Sequence, residues 1–196
     1  MIRIFDILLS MLVLIVLFPV LLLVYIFIIL ESRGGGFYFQ KRVGRNGIDF
    51  TLFKFRSMYI NSDKERLITI GEKDSRLTKA GIIIRRFKLD ELPQLINVLK
   101  GDMSIVGPRP EVRKYVDKYS TKQQNVLNVR PGLTDYASIE YIHENEILGK
   151  AFDPEKTYIE EIMPHKILLN MKYIENQNIK EYFRIIIRTL LRIVKN

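Results

Sequence analysis

The sequence contains no cysteine, which excludes disulfides, thiolate zinc sites and cysteine nucleophiles and suits a reducing cytosol. Histidine is scarce, with only His143 and His165. "HENE" at residues 143–146 is not H-E-x-x-H, so a histidine-based zinc or triad enzyme is disfavoured and both histidines read as surface residues. There is no G-x-G-x-x-G fingerprint and no G-x-x-x-x-G-K-S/T loop. A D-x-D pair of the kind used by soluble, metal-dependent nucleotide-sugar enzymes is also missing.

Acid is the scarcer sign of charge. The 22 Asp and Glu face 31 Lys and Arg, a formal net charge of +9. That surplus implies anionic partners: nucleic acid, phospholipid headgroups or phosphorylated substrates. At 196 residues and 47% hydrophobic content, the chain suits one ordinary domain plus an anchor.

Charge is absent from Ile7 to Leu30, 24 positions interrupted only by Ser10 and Pro19. As a helix this run is roughly 36 Å long, enough to cross a bilayer core. It is too long for a signal-peptide core, and "ESRGGGF" offers no cleavage site, so the segment is expected to be retained. Pro19 lacks an N–H and leaves the Ile15 carbonyl without its helical partner. Composition favours a straight or kinked span, with a sharp bend returning both ends to one face as the alternative. The flanking cations, Arg3 on one side and Arg33, Lys41 and Arg42 on the other, do not decide between them.

"SRGGG" places the boundary between a membrane-anchoring segment (residues 1–33) and a folded domain (34–196). The next stretch reads as a β-hairpin turned at Asn46-Gly47, with Phe53 and Phe55 on one face and Lys54 and Arg56 on the other. Residues 60–76 read as a polar loop with a short helical turn, and Thr78 starts a helix through "LTKAGIIIRRF". Asp90 and Glu91 precede a helix with Pro93 in its first turn and Gly101 after its last. "GPRPE" and "RPGLTDY" read as stiff, turn-rich loops. Residues 155–177 read as helix interrupted at Pro164. From Ile179 onward, Lys180, Arg184, Arg188, Arg192 and Lys195 line one side of a basic amphipathic helix. The fold class expected is mainly α with a small β-hairpin, α+β overall.

Neighbours on a helix diverge by about 100°, so Asp90 and Glu91 cannot grip one atom as matching arms. At a helix N-terminus both stay ionised, which suits a nucleophile or a metal ligand better than a general acid. Simple helix capping is the plainer account. Arg76, Lys79, Arg85, Arg86 and Lys88 precede them with no acid between, while Arg109 and Arg130 sit beside prolines that stiffen their loops. Arginine forks bind phosphate oxygens, so carboxylates, a divalent ion and several arginines together point to phosphoryl chemistry.

"KFRSM" (54–58), "LDELPQLINVLKGDMSIVGPRPE" (89–111) and "RPGLT" (130–134) follow one hydrophobic segment in that order. In this the chain resembles the bacterial sugar transferase family, the monotopic polyprenyl-phosphate phosphoglycosyl transferases, and in particular its small members. The resemblance implies attack by Asp90 on a UDP-sugar, release of UMP, and passage of the aspartyl phosphosugar to polyprenyl phosphate. It assigns Glu91 to Mg²⁺ and makes Lys54, Arg56, Arg85, Arg109 and Arg130 candidate substrate contacts. It also implies that Pro19 bends the first helix into a re-entrant hairpin. The catalytic domain and basic C-terminal helix would then lie on the cytoplasmic face of the bacterial inner membrane, with no nucleic-acid partner and a homo-oligomer left open. The chain departs from the family at Phe18-Pro19, where many members have Ser-Pro. It departs again at "TDYASIEY", which bears on sugar choice, and at Asn170, where many carry an aspartate.

Two rivals remain on the sequence. A membrane-tethered nucleic-acid-binding module fits the charge and the aromatic-basic stretch from Phe37 to Arg56. A non-catalytic scaffold of a glycan assembly complex would keep the fold without UMP release.

Overall fold

The computed structural model of the chain describes residues 1–62 and 74–195. Most of the loop expected over 60–76 therefore lies outside the described residues.

The uncharged run forms most of helix α1 (Ile2–Glu31), about 45 Å long, which is long and apolar enough to cross a membrane. The helix continues through Pro19, and its middle is bare: Ile15, Phe18 and Leu23 are each more than 60% exposed. Its two ends are not bare. Near the start, Arg3 donates to the carbonyls of Val98 (2.7 Å), Leu99 (3.2 Å) and Met103 (3.3 Å). One turn on, the buried Asp6 accepts from Ser104 Oγ, Ile105 N and Tyr182 Oη, each at 2.9 Å. At the far end, Glu31 accepts from the backbone N–H groups of Lys79 (2.6 Å) and Ala80 (2.7 Å).

Strands β1 (Phe37–Val43) and β2 (Asp49–Phe55) pair antiparallel, with Phe37 opposite Phe55 and Val43 opposite Asp49. The turn spans residues 44–48, and Asn46 (φ 57°) and Gly47 (φ 75°) take the left-handed backbone it needs. Strand alternation puts Tyr38, Gln40, Arg42 and Lys54 on one face and a cluster of phenylalanines on the other, with the Phe37 and Phe55 rings stacked 5.2 Å apart.

Thr78 caps helix α2 (Lys79–Arg86) by accepting from Gly81 N at 2.9 Å. Gly81 is required because a Cβ there would fall 1.8 Å from the Ser57 carbonyl oxygen. Lys88 (φ 56°) then turns the chain into a separate 3-10 turn, Leu89–Glu91, ahead of helix α3 (Gln94–Lys100). The buried Asn97 ties α3 to β2, donating to Thr51 O (2.8 Å) and accepting from Phe53 N (3.0 Å).

The sheet content exceeds the expected hairpin. Strands β3 (Ser104–Val106) and β4 (Gly132–Thr134) form a short parallel pair. Two glycines allow the approach: a Cβ on Gly132 would lie 2.1 Å from Gly107 N. Helices α4 (Arg113–Val116), α5 (Tyr136–Glu140) and α6 (Glu144–Lys150) follow. The interruption expected at Pro164 is a π-helical turn, Tyr158–Ile162, between α7 (Pro154–Thr157) and α8 (Met163–Glu175). The wider turn precedes a residue that has no N–H to give the α-helical ladder. Last comes α9 (Ile179–Val194), where Leu190, Leu191 and Val194 are more than half exposed beside Arg188 and Arg192.

Three apolar cores result among the described residues. One joins α3, β3 and α9 to the start of α1, and a second joins α4, α6 and the π turn. The third sets Val24 and Ile28 of α1 against Phe55, Ala80 and Ile84. Helix α1 thus belongs to two of these three.

Candidate active site

The 3-10 turn delivers Asp90 and Glu91 to the floor of a cavity of about 980 Å³. Lys54 reaches it from β2, Arg85 and Lys88 from the end of α2, and Arg109 from the proline-flanked loop after β3. That volume is at the upper end for small-molecule pockets.

The two acids are treated differently. Glu91 Oε1 accepts from Lys54 Nζ at 3.1 Å, and Arg109 grips both of its oxygens, Nη1 to Oε2 at 3.1 Å and Nη2 to Oε1. Burial pushes the Glu91 carboxyl up, but Arg109 and Lys54 outweigh it and hold it well below the usual glutamate range. Asp90 is 6% exposed and accepts no hydrogen bond among the described residues. Burial, and then Glu91, push its pKa up, against the pull of Lys54, Arg85 and Lys88. The sequence argument had both acids held ionised by one helix terminus; the turn of their own and the clamp on Glu91 separate them. A carboxylate with free lone pairs beside several cations can attack an electrophile.

Lys54 is also perturbed: burial lowers its pKa more than Glu91 raises it. Arg109 moves the other way, its pKa raised chiefly by Glu91. Its backbone N–H donates to Asp135 Oδ2 at 2.9 Å, and the same carboxylate caps α5 through Ser138 N and accepts from Asn170 Nδ2 at 2.8 Å. One buried aspartate therefore fixes the loop that aims Arg109.

Not every candidate cation meets the acids. Arg85 lines the cavity, its Nε donating to Ser57 Oγ at 2.9 Å. Arg56 also touches the cavity, but it closes the end of α1, donating to Ser32 O (2.8 Å), Ser32 Oγ (2.9 Å) and Arg33 O. Its Nε is buried and has no hydrogen-bond partner among the described residues. Arg130 stands away from the cavity lining, donating to Gly101 O at 3.0 Å at the end of α3. Pro19 lies in the bare middle of α1.

Mg²⁺ prefers about six oxygen ligands and is commonly held by one or two carboxylates plus substrate phosphates. No group of three or more acidic, histidine or cysteine side chains gathers among the described residues. Asp90 and Glu91 suit the partial shell that a phosphate-bearing ligand would complete, since a carboxylate has lone pairs beyond those Arg109 and Lys54 use.

Asp6, Glu31, Asp135, Glu111 and Tyr158 are not among the candidate residues read from the sequence. Asp6 carried a signal, being an acid one residue ahead of a long uncharged run. The others become visible only through contacts between distant segments.

Comparison with known proteins fits this geometry. The bacterial sugar transferase family model matches residues 1–196. A UDP-N-acetylgalactosamine-undecaprenyl-phosphate N-acetylgalactosaminephosphotransferase of Aeromonas hydrophila is 37% identical over 90% of this chain and 39% of its own length. A UDP-glucose:undecaprenyl-phosphate glucose-1-phosphate transferase of Caulobacter vibrioides is 33% identical over 96% of this chain and 67% of its own. The protein of the same description from Xanthomonas campestris pv. campestris is 34% identical over 96% and 38%. The chain thus spans well under half the length of two of these three relatives. With its acid pair, its gathered cations and a match over the full sequence, the chain belongs to the bacterial sugar transferase family.

Proposed function

We propose that this chain transfers a sugar phosphate from a UDP-sugar to a polyprenyl phosphate such as undecaprenyl phosphate, opening the assembly of a bacterial glycoconjugate. In the first half, an Asp90 oxygen attacks the β-phosphorus and the bond from that phosphorus to the bridging oxygen breaks. UMP leaves with the electron pair. In the second half, a phosphate oxygen of the acceptor attacks the same phosphorus. The Asp90–phosphorus bond breaks, the carboxylate returns, and a polyprenyl-diphosphate sugar forms. No net proton is needed in either half.

The observation that carries this reading is the contrast between a clamped Glu91 and an uncommitted Asp90 in one cavity. Arg109 and Lys54 hold Glu91 rigid and bring fixed positive charge to where phosphate charge develops. Arg85 and Lys88 add positive charge from the other side. Glu91, with Asp90, would hold Mg²⁺, which when bound neutralises diphosphate charge.

The same reading has α1 enter and leave the membrane on one face, bent at Pro19, with the rest of the chain on the cytoplasmic side. What supports this is that both ends of α1 are hydrogen-bonded to one domain while its centre is bare. A helix spanning the bilayer would part Arg3 from Glu31 by about the membrane thickness.

The test is donor alone. Purified protein given a UDP-sugar without acceptor should release one equivalent of UMP and carry a phosphosugar on the peptide containing Asp90. Mass spectrometry finding an unmodified peptide after UMP release would remove Asp90 from this role.

A further inference from the structure

The cavity lining takes in the polar face of β1 and the start of the π-helical turn, and contacts among their side chains mark out one part of it as a compartment. Gln40, Arg42, Glu111, Glu144, Tyr158 and Lys166 line it. Its charge is balanced, Arg42 and Lys166 against Glu111 and Glu144. Around Asp90 and Glu91, by contrast, stand Lys54, Arg85, Lys88 and Arg109, four cations against two acids. A phosphate wants net positive charge. A polyhydroxylated neutral group wants donors and acceptors mixed, because each hydroxyl both gives and accepts.

The compartment is held rigid. Tyr158 donates to Glu111 Oε1, and Glu111 Oε2 accepts from Val112 N at 3.2 Å and faces Arg42 Nη1 at 3.6 Å. Arg42 Nη1 also donates to Pro110 O at 3.0 Å, and its Nε to Gln40 Oε1 at 2.9 Å. Lys166 pairs with Glu144 at 2.7 Å and lies over the Tyr158 ring. The π turn that begins at Tyr158 is a geometry frequently found at functional sites. After these bonds, the Gln40 amide nitrogen and Arg42 Nη2 have no partner among the described residues. A nucleobase would look instead for a flat aromatic face. Tyr115 and Tyr158 offer none, because they pack on each other at 5.0 Å and are each 3% exposed.

Resting on the phosphosugar-transfer reading, we propose that this compartment holds the sugar of the donor, with Gln40 and Arg42 reading its hydroxyl pattern and Glu111 and Tyr158 holding them in place. Gln40 and Arg42 contact the substrate; Glu111 and Tyr158 are positioning residues.

The experiment uses the full chain, a panel of UDP-sugars that includes epimers differing at one hydroxyl, and the variants Gln40→Leu, Arg42→Lys and Tyr158→Phe. UMP release gives kcat/KM, and calorimetry gives Kd for each UDP-sugar and for UDP alone. Losing one hydrogen bond to a hydroxyl should lower kcat/KM for the preferred sugar ~3–10-fold. For Gln40→Leu and Arg42→Lys the preference between epimers should change while Kd for UDP stays constant. Tyr158→Phe should shift the same preference without an equal loss on every donor. An equal loss on all donors and on UDP would assign the compartment to the nucleotide and overturn the proposal. Unchanged kinetics and binding in the folded variants, checked by circular dichroism, would also overturn it. Should the wild type release no UMP from any donor, the transfer reading falls and the binding arm decides. UDP-sugar binding tighter than UDP, with the difference lost in Gln40→Leu, keeps the compartment as a sugar site; no difference removes it.

Discussion

Arg109 and Glu91 meet at two points across 18 residues of sequence, and this pairing leaves the adjacent Asp90 as the uncommitted acid. The division follows from geometry: neighbouring side chains on a tight turn diverge, so a fork that fits one carboxylate cannot also serve the next. The consequences can be measured.

Asp90→Asn should cut turnover at least about 1,000-fold, as losing a covalent nucleophile does. It should also make the protein more stable at neutral pH. Burial without a partner raises the folded-state pKa of Asp90, so the ionised form costs stability once the pH exceeds that pKa. The gain should be full above the raised pKa and shrink as the pH falls through it toward the ordinary aspartate range. Thermal unfolding in one detergent across this range checks the sign, with ~2–4 °C expected per kcal/mol at this chain length.

Glu91→Gln should do the reverse, costing about 2–4 kcal/mol at pH 7 because Arg109 and Lys54 lose their shared partner. Glu91 has a depressed folded-state pKa, so its contribution is present above the ordinary glutamate range and is lost as the pH falls through the depressed value. The penalty should therefore fade in strong acid. Chemical denaturation at pH 7 and at low pH separates this from a general packing defect.

Arg109→Lys keeps the charge and loses the two-point grip. Turnover should fall about 10–100-fold with a smaller change in stability than Glu91→Gln. Steady-state kinetics beside unfolding curves make the comparison. Wild-type behaviour of Arg109→Lys on both measures would mean that charge alone matters here.

The pH–rate profile should be bell-shaped. Activity should rise through an acid limb above the ordinary aspartate range as Asp90 ionises, and fall through a basic limb below the ordinary lysine range as Lys54 loses its proton. Lys54→Arg should move the basic limb upward while leaving the acid limb in place.

The parts of this architecture that depend on neighbours in sequence were legible in it. Thr78 starting α2, Gly101 ending α3 and Asn46-Gly47 turning the hairpin are local backbone requirements, and each stands where the pattern put it. The β3–β4 pairing was not legible, because Ser104 and Gly132 meet only across an intervening stretch of short helices and turns. The acids were visible as a pair but not as unequal partners, since adjacent residues share every local signal and differ only in what reaches them from β2 and the loop after β3. Arg56 read as one of several cations near phosphate, and only the end of α1 folding back beside it reveals its carbonyl partners.

The junction at residues 32–36 looks like a place to cut, yet α1 is woven into the remainder at both extremities. Without it, Arg56 faces no helix end and Tyr182 loses the acceptor it shares with Ser104. Ala80 and Ile84 lose the cover of Val24 and Ile28. A shortened version made for convenience in aqueous buffer would expose fresh oily surface and collapse or clump. Crystallisation and screening campaigns on this chain should keep α1 and supply detergent or nanodiscs to dress its bare midsection.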